Sequence, residues 1–257
     1  MRHAVPVAVG IMALALWEAL VRLSDVPPYI LPTPGLVIAA LGEDGGTLFL
    51  SAWFTLVVTV KAFVVALVAG VALALLFAVS PLAERALFPY AVILQVTPVV
   101  AIAPLVILWV GFDNVGRAQL ILAAIVAFFP ILSNTTLGLK SADHNLVDLF
   151  RLNGATRLQE LAWLRLPSAL PYLLGGMKIS GGLALIGAVV AEFVAGSGMS
   201  SGLAWRILES GHRLNIPRMF AALLLLSALG IGIFGVLSAL ERRLLSRWHD
   251  SARKRDS

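Results

Sequence analysis

A chain of 257 residues that is 60% hydrophobic and 13% charged, with a mean hydropathy of +0.94, is too apolar for a soluble globular domain, which is about 45–50% apolar and about 25% charged. The net charge of +5 and the pI near 10.1 come with no basic patch interleaved with aromatics, so nucleic acid is excluded as a partner. The absence of cysteine removes disulfides, thiolate metal sites and cysteine nucleophiles.

Apolar runs reach the roughly 18–25 residues that cross a bilayer core, and they lack the alternation of a transmembrane β-barrel. The prediction is an all-α polytopic membrane protein, one transmembrane domain over residues 1–257. Six spans account for the apolar sequence: about 4–23, 54–79, 87–110, 118–139, 172–195 and 219–240. The first has a short basic start like a signal peptide, yet it lacks a small-residue cleavage site and runs on to Leu23, so it reads as a retained span. Within it, Glu18 and Arg22 have the i,i+4 spacing of an ion pair. The segment Ser24–Ala52 begins DVPPYILPTP, where four prolines favour extended backbone.

Counting Lys and Arg orients the chain. With the N-terminus inside, twelve of the 19 basic residues fall in inside segments and five in outside ones, while Lys61 and Lys178 lie within spans. That bias places both termini in the cytoplasm. Lys61 and Glu192 are ionisable at membrane depth, which suggests function by default; snorkelling toward the span end is the alternative for Lys61, and Glu192 reads as a gate or a structural hydrogen-bonding residue rather than a proton carrier. Gln95, Thr97, Ser133, Asn134 and Thr135 are polar there. Pro98, Pro104 and Pro130 free backbone carbonyls that protein or water must satisfy. Gln95, Thr97, Pro98, Ser133, Asn134 and Glu192 are therefore the candidate pathway residues, with helix–helix hydrogen bonding the alternative role. Gly175, Gly176, Gly181, Gly182 and Gly187 suit close packing of the fifth span.

The longest polar interruption is DLFRLNGATRLQELAWLRLP, Asp148–Pro167, between the fourth and fifth spans. Leu146, Val147, Leu149, Phe150 and Leu152 predict a short helix with an exposed apolar stripe. Asn153-Gly154 is a turn signal. Thr156 and Gln159 have capping-box spacing, so a second helix starts at Arg157 with Leu158, Leu161, Ala162 and Leu164 on one side. Pro167 is expected to end it, with Ser168 capping the fifth span and Pro171 in its first turn. An amphipathic helix lying on lipid is the competing reading, but the turn at Gly154 splits the apolar surface into two short pieces.

This element resembles the EAA loop of ATP-binding-cassette (ABC) importer permeases of the binding-protein-dependent, MetI-like superfamily. Asp148 sits where that signature has Glu, Gly154 falls at the right spacing, and Leu164, Leu166 and Pro167 follow at the right distance. Leu149 and Phe150 replace its two alanines. Trp17–Pro34, Thr97–Asp113, Ala127–Asp143 and Ala191–Trp205 are similar to the start, third span, fourth span and end of the fifth span in the nitrate/sulfonate/taurine branch.

The resemblance implies a bacterial inner-membrane homodimer with two ATPase subunits, which carry ATP and magnesium, and an external solute-binding protein, all amid membrane lipid. The coupling loop would span 144–167, with Asp148, Phe150, Gly154, Ala155, Leu158, Leu164, Leu166 and Pro167 meeting the ATPase. It implies no catalytic residue, metal or cofactor on this chain, and no phosphate-cradling G-x-x-x-x-G-K-[ST] loop occurs in it. Nitrate, sulfonates, taurine and a pyrimidine vitamin precursor are all open as cargo.

Two rivals stand beside this reading. An ion-driven secondary transporter would leave the Asp148–Pro167 element without a task. An intramembrane serine protease is raised by Gly198-Met199-Ser200-Ser201-Gly202, which matches G-x-S-x-G, but that motif needs a preceding strand. None of His3, His144, His212 and His249 falls within a span.

Overall fold

In the computed structural model, which describes residues 4–194 and 202–246, prolines and glycines punctuate the chain into helices, and no strand occurs among the described residues. The first helix, α1 (Ala4–Leu23), has the predicted bounds. Helix α2 (Pro34–Glu43) lies inside the proline-rich segment expected to be extended. There Thr33 Oγ1 accepts from the Leu36 N–H and Pro34 supplies a preset φ at the first helical position, so the last of those prolines starts a helix. Helix α3 (Gly45–Val79) has 35 residues, about 52 Å, and begins well before the predicted Phe54.

The predicted third span is two helices, α4 (Pro81–Val96) and α5 (Val99–Val110), bent by 103°. Pro98 lacks an N–H and drives the preceding residue out of the helical region. Thr97 and Pro98 accordingly sit at ψ 122° and 116°. Thr97 closes α4, its N–H and its hydroxyl both donating to the Ile93 carbonyl.

Helix α6 (Val115–Lys140) is followed by α7 (His144–Leu152) and α8 (Arg157–Glu160). A π-turn over Leu161–Arg165 joins α8 to α9 (Leu166–Val194) without a break. The chain continues as α10 (Leu203–His212) and α11 (Ile216–Leu245). Among the described residues, five helical stretches are long and apolar enough to cross a membrane, and the bent α4–α5 pair is a further candidate.

The described residues fall into two compact units, those of Met1–Thr55 with Gly196–Leu229 and those of Leu56–Ala195 with Gly230–Ser257. In the first unit Val37, Ala40, Leu48, Ala52, Leu203, Ala221 and Leu225 form the core, with Trp17 against Phe220 at 5.8 Å between ring centroids. Gly202 offers no cap to α10, and Thr55 Oγ1 accepts the Leu203 N–H at 2.9 Å instead. Glu18 and Arg22 pair at 2.6 Å, as their spacing predicts.

The second unit is built on α6 against α9. Ala123, Ala127, Ala184 and Ala188 are fully buried between them, and Ser180 Oγ donates to the Ala127 carbonyl at 2.7 Å. Lipid is as apolar as leucine, so such pairs associate through close backbone approach and interhelical hydrogen bonds. Outward-facing Val5, Ile11 and Met12 of α1 and Val68 of α3 are 63–67% exposed, a load of bare apolar surface that suits lipid and not water.

Candidate functional site

The α7–α8 element forms as its local chemistry dictates. Asp143 caps α7 by accepting from the Asn145 N–H at 2.8 Å. At the other end the Gly154 N–H donates to the Arg151 carbonyl and the Ala155 N–H to the Phe150 carbonyl, both at 3.0 Å. This is the Schellman closure, which needs a left-handed residue, and Gly154 supplies it at φ +74°. Thr156 and Gln159 then form the predicted capping box: Gln159 Oε1 accepts from the Thr156 N–H at 2.8 Å, and the Gln159 N–H donates to Thr156 Oγ1 at 3.3 Å.

Helix α7 has two apolar faces. Val147 is buried with Ala142, Leu164 and Phe150, while Leu146, Leu149 and Leu152 point outward. Leu149, Phe150, Asn153, Gly154, Ala155, Gln159 and Trp163 line a groove of about 490 Å³. Gly154 meets open space there: a Cβ added to it would touch nothing within 4 Å.

Asp148 lies mid-helix and exposed, 3.9 Å from Arg151. Leu158 is exposed, but Leu161 and Leu164 turn inward, so the four predicted residues do not share one face. Leu164 supports the groove from behind.

Pro167 does not end the helix. The π-turn ahead of it, closed by the Leu166 N–H on the Leu161 carbonyl, widens the backbone where the ring would otherwise strike the preceding turn. Ser168 Oγ donates to the Leu164 carbonyl inside the helix and caps nothing, and Pro171 is interior to α9. Leu166 remains exposed.

Sequence reasoning missed Glu160 and Trp163. Glu160 is buried and pairs with Arg165 at 2.5 Å and Arg151 at 3.6 Å. Its i+5 partner fits the π-turn and not an α-helical spacing. Trp163 is 75% exposed at one edge of the groove; an aromatic four residues after the capping glutamine was the available signal.

A second cavity, about 340 Å³, lies at the α4–α5 bend. Gln95, Thr97 and Pro98 line it with Ile125 and Val126 of α6 and Leu183, Ile186, Gly187 and Val190 of α9. No lining residue is charged. Ser133, Asn134 and Glu192 are not among its walls. Asn134 Nδ2 donates to the Pro130 carbonyl at 2.8 Å where α6 meets Gly176. Glu192 is buried in α9. Lys61 is exposed on α3 without an ion pair among the described residues. Lys178 pairs with Glu241 at 2.7 Å.

The stretch from Gly198 to Ser201, most of the G-x-S-x-G match, lies outside the described residues, as do His3 and His249. Among the described residues no three or more His, Asp or Glu side chains are grouped to hold a metal ion.

Residues 66–246 match the family of binding-protein-dependent transport system inner membrane components. The chain is 36% identical over 242 residues to the riboflavin transport system permease protein RibX of Chloroflexus aurantiacus, covering 93% of this chain and 88% of that one. It is 31% identical over 240 residues to the putative aliphatic sulfonates transport permease protein SsuC of Bacillus subtilis, covering 93% and 85%. Among solved structures, an inward-facing form of the MetNI methionine ABC transporter superposes with a TM-score of 0.64 at 20% identity, covering 79% of this chain and 98% of that one, a likeness of fold.

Proposed function

Taking as premise that the chain belongs to the family of binding-protein-dependent transport system inner membrane components, we propose how this ABC importer permease is driven and what it carries. The α7–Gly154–α8 element is the surface gripped by a cytoplasmic ATPase subunit. Its groove takes a ridge of the partner between Leu149, Trp163 and the bare backbone at Gly154. ATP and magnesium belong to that partner. Two copies of this chain enclose the pathway, an external binding protein delivers cargo at the opposite face, and both termini lie in the cytoplasm. The inner membrane is the setting.

The observation that carries this reading is the groove: apolar walls, an exposed tryptophan and a glycine without cover, presented by two capped helices. An exposed apolar surface of this kind marks a partner site. Closure of the ATPase pair would drive the element between two positions and so open the pathway to alternate sides.

The cavity at the α4–α5 bend is the section of pathway this chain contributes. Its walls hold an amide and a hydroxyl and no charge. A sulfonate would enter it without a counter-charge, which is costly in apolar surroundings. The cargo is therefore an uncharged heteroaromatic molecule, in line with the riboflavin named for one relative.

The chain has no cysteine, which makes the test direct. Asn153→Cys should crosslink to the ATPase subunit in a nucleotide-sensitive manner, and Arg213→Cys should not. Labelling of Asn153→Cys from outside intact cells by a membrane-impermeant thiol reagent would overturn the reading.

A further inference from the structure

A third cavity, about 300 Å³, shares no lining residue with the groove of the coupling element. It opens where α3 ends, α4 begins, α6 ends and α8 begins, the level at which apolar spans give way to polar sequence. One wall is apolar, with Ala74, Phe77, Val79 and Leu139. The rim carries Lys140, Arg151, Arg157 and Arg165 against Glu84 and Glu160, an excess of two positive charges.

The pairing within that rim is uneven. Lys140 is held by Glu84 and Arg165 by Glu160, both at 2.5 Å. Arg151 stands 3.6 Å from Glu160 and 3.9 Å from Asp148, beyond hydrogen-bond distance of either. Arg157 has no ion pair among the described residues. In the wall, Thr136 is only 7% exposed, and its hydroxyl has no hydrogen-bond partner. A buried hydroxyl without a partner is rare and unfavourable, and this one is a donor at the edge of a positive cavity.

We infer that this cavity binds the headgroup of an anionic phospholipid. Arg157 and Arg151 present planar donor sets that match phosphate oxygens, Thr136 donates from the wall, and the first carbons of an acyl chain cover Phe77 and Leu139. Basic pockets between spans on the cytoplasmic side suit such lipids. A free phosphate ion would satisfy the rim but leave the apolar wall bare, which is why the occupant is a lipid. Bound there, the lipid backs α8 from behind and sets the resting position of the coupling element. The site rests on assigning this end of the helices to the membrane–water boundary, and its test does not involve the ATPase.

The full chain, purified in a neutral detergent, is titrated with short-chain phosphatidylglycerol, with phosphatidylcholine of the same chains, and with inorganic phosphate. Thermal unfolding and native mass spectrometry give the readout. Phosphatidylglycerol should raise the melting temperature by several degrees and leave one lipid bound per chain. Arg157→Gln should weaken that binding roughly tenfold, and so should the nearly isosteric Thr136→Val, which removes the hydroxyl without changing the packing. Equal protection by phosphatidylcholine, the same shift from inorganic phosphate alone, or unchanged phosphatidylglycerol binding in both variants would each overturn the assignment.

Discussion

Lys178 on α9 holds its ammonium 2.7 Å from the Glu241 carboxylate on α11, across 63 residues of sequence. Both side chains are about a quarter exposed, so each charge depends on the other more than a surface pair would. Lys178→Met alone should lower stability by on the order of 2 kcal/mol by stranding the carboxylate. The double variant Lys178→Met with Glu241→Leu should recover much of that loss. Thermal unfolding of the four proteins in detergent gives the coupling; strict additivity would mean that the pair contributes nothing.

Gly154→Val places a β-branched side chain at φ +74°. The strain is about 1–2 kcal/mol and is confined to the turn, because nothing surrounds the new Cβ. Global unfolding should hardly move. Co-purification of the ATPase and ATP-driven uptake should both fall strongly, and intact uptake would remove this turn from the coupling surface.

Gly187 and Gly182 share α9 but not a fate. A Cβ at Gly187 would lie 2.8 Å from the Ala123 Cα, whereas one at Gly182 would meet nothing within 4 Å. Gly187→Ala should destabilise by about 1–3 kcal/mol through overpacking, and Gly182→Ala should be neutral or slightly stabilising. The sequence presented five glycines in this helix as equivalents, and only the structure separates the packed ones from the open ones.

Glu209 on α10 sits among Arg206 at 2.9 Å, Arg213 at 3.1 Å and Arg218 at 3.6 Å. The hydrogen bond from Arg206 and then the charges of the three arginines hold its carboxyl below the usual glutamate range, against an opposing push from burial. A lowered folded pKa means that the stabilisation is complete above the unfolded value of about 4.3 and is lost as pH falls through the lowered one. Glu209→Gln should reduce stability at neutral pH and flatten that acid limb. An unchanged limb in a melting-temperature series against pH would contradict the assignment.

Gln95 supplies the amide at the bend cavity. Gln95→Leu should cut uptake of labelled riboflavin roughly tenfold, about the value of one hydrogen bond to the cargo, with ATPase association unchanged. Equal uptake by the variant would take Gln95 out of the pathway.

Local signals carried most of what the sequence revealed. The bounds of α1, the capping box at Thr156 and the turn at Gly154 each depend on residues within one or two helical turns. Three local signals were weighed wrongly. Thr33-Pro34 is a helix start among prolines, Pro98 breaks a span where a continuous one was expected, and Pro167 sits behind a widened turn that tolerates it. The partners of Glu160 and Lys178 were not readable. One depends on a non-α register, and the other on helices 63 residues apart, where no spacing rule applies. The grouping of Gln95, Thr97 and Pro98 apart from Ser133 and Asn134 depends likewise on which face of α6 turns toward α9.

The backbone from Arg157 to Val194 is helical throughout, 38 residues or about 57 Å of shaft, thickened once at Leu161–Arg165. A slack joint at that spot would absorb a push; a shaft cannot. Under the proposed coupling, a push applied beside Thr156 would travel along that one rod toward Gly187, which stands in the wall of the bend cavity.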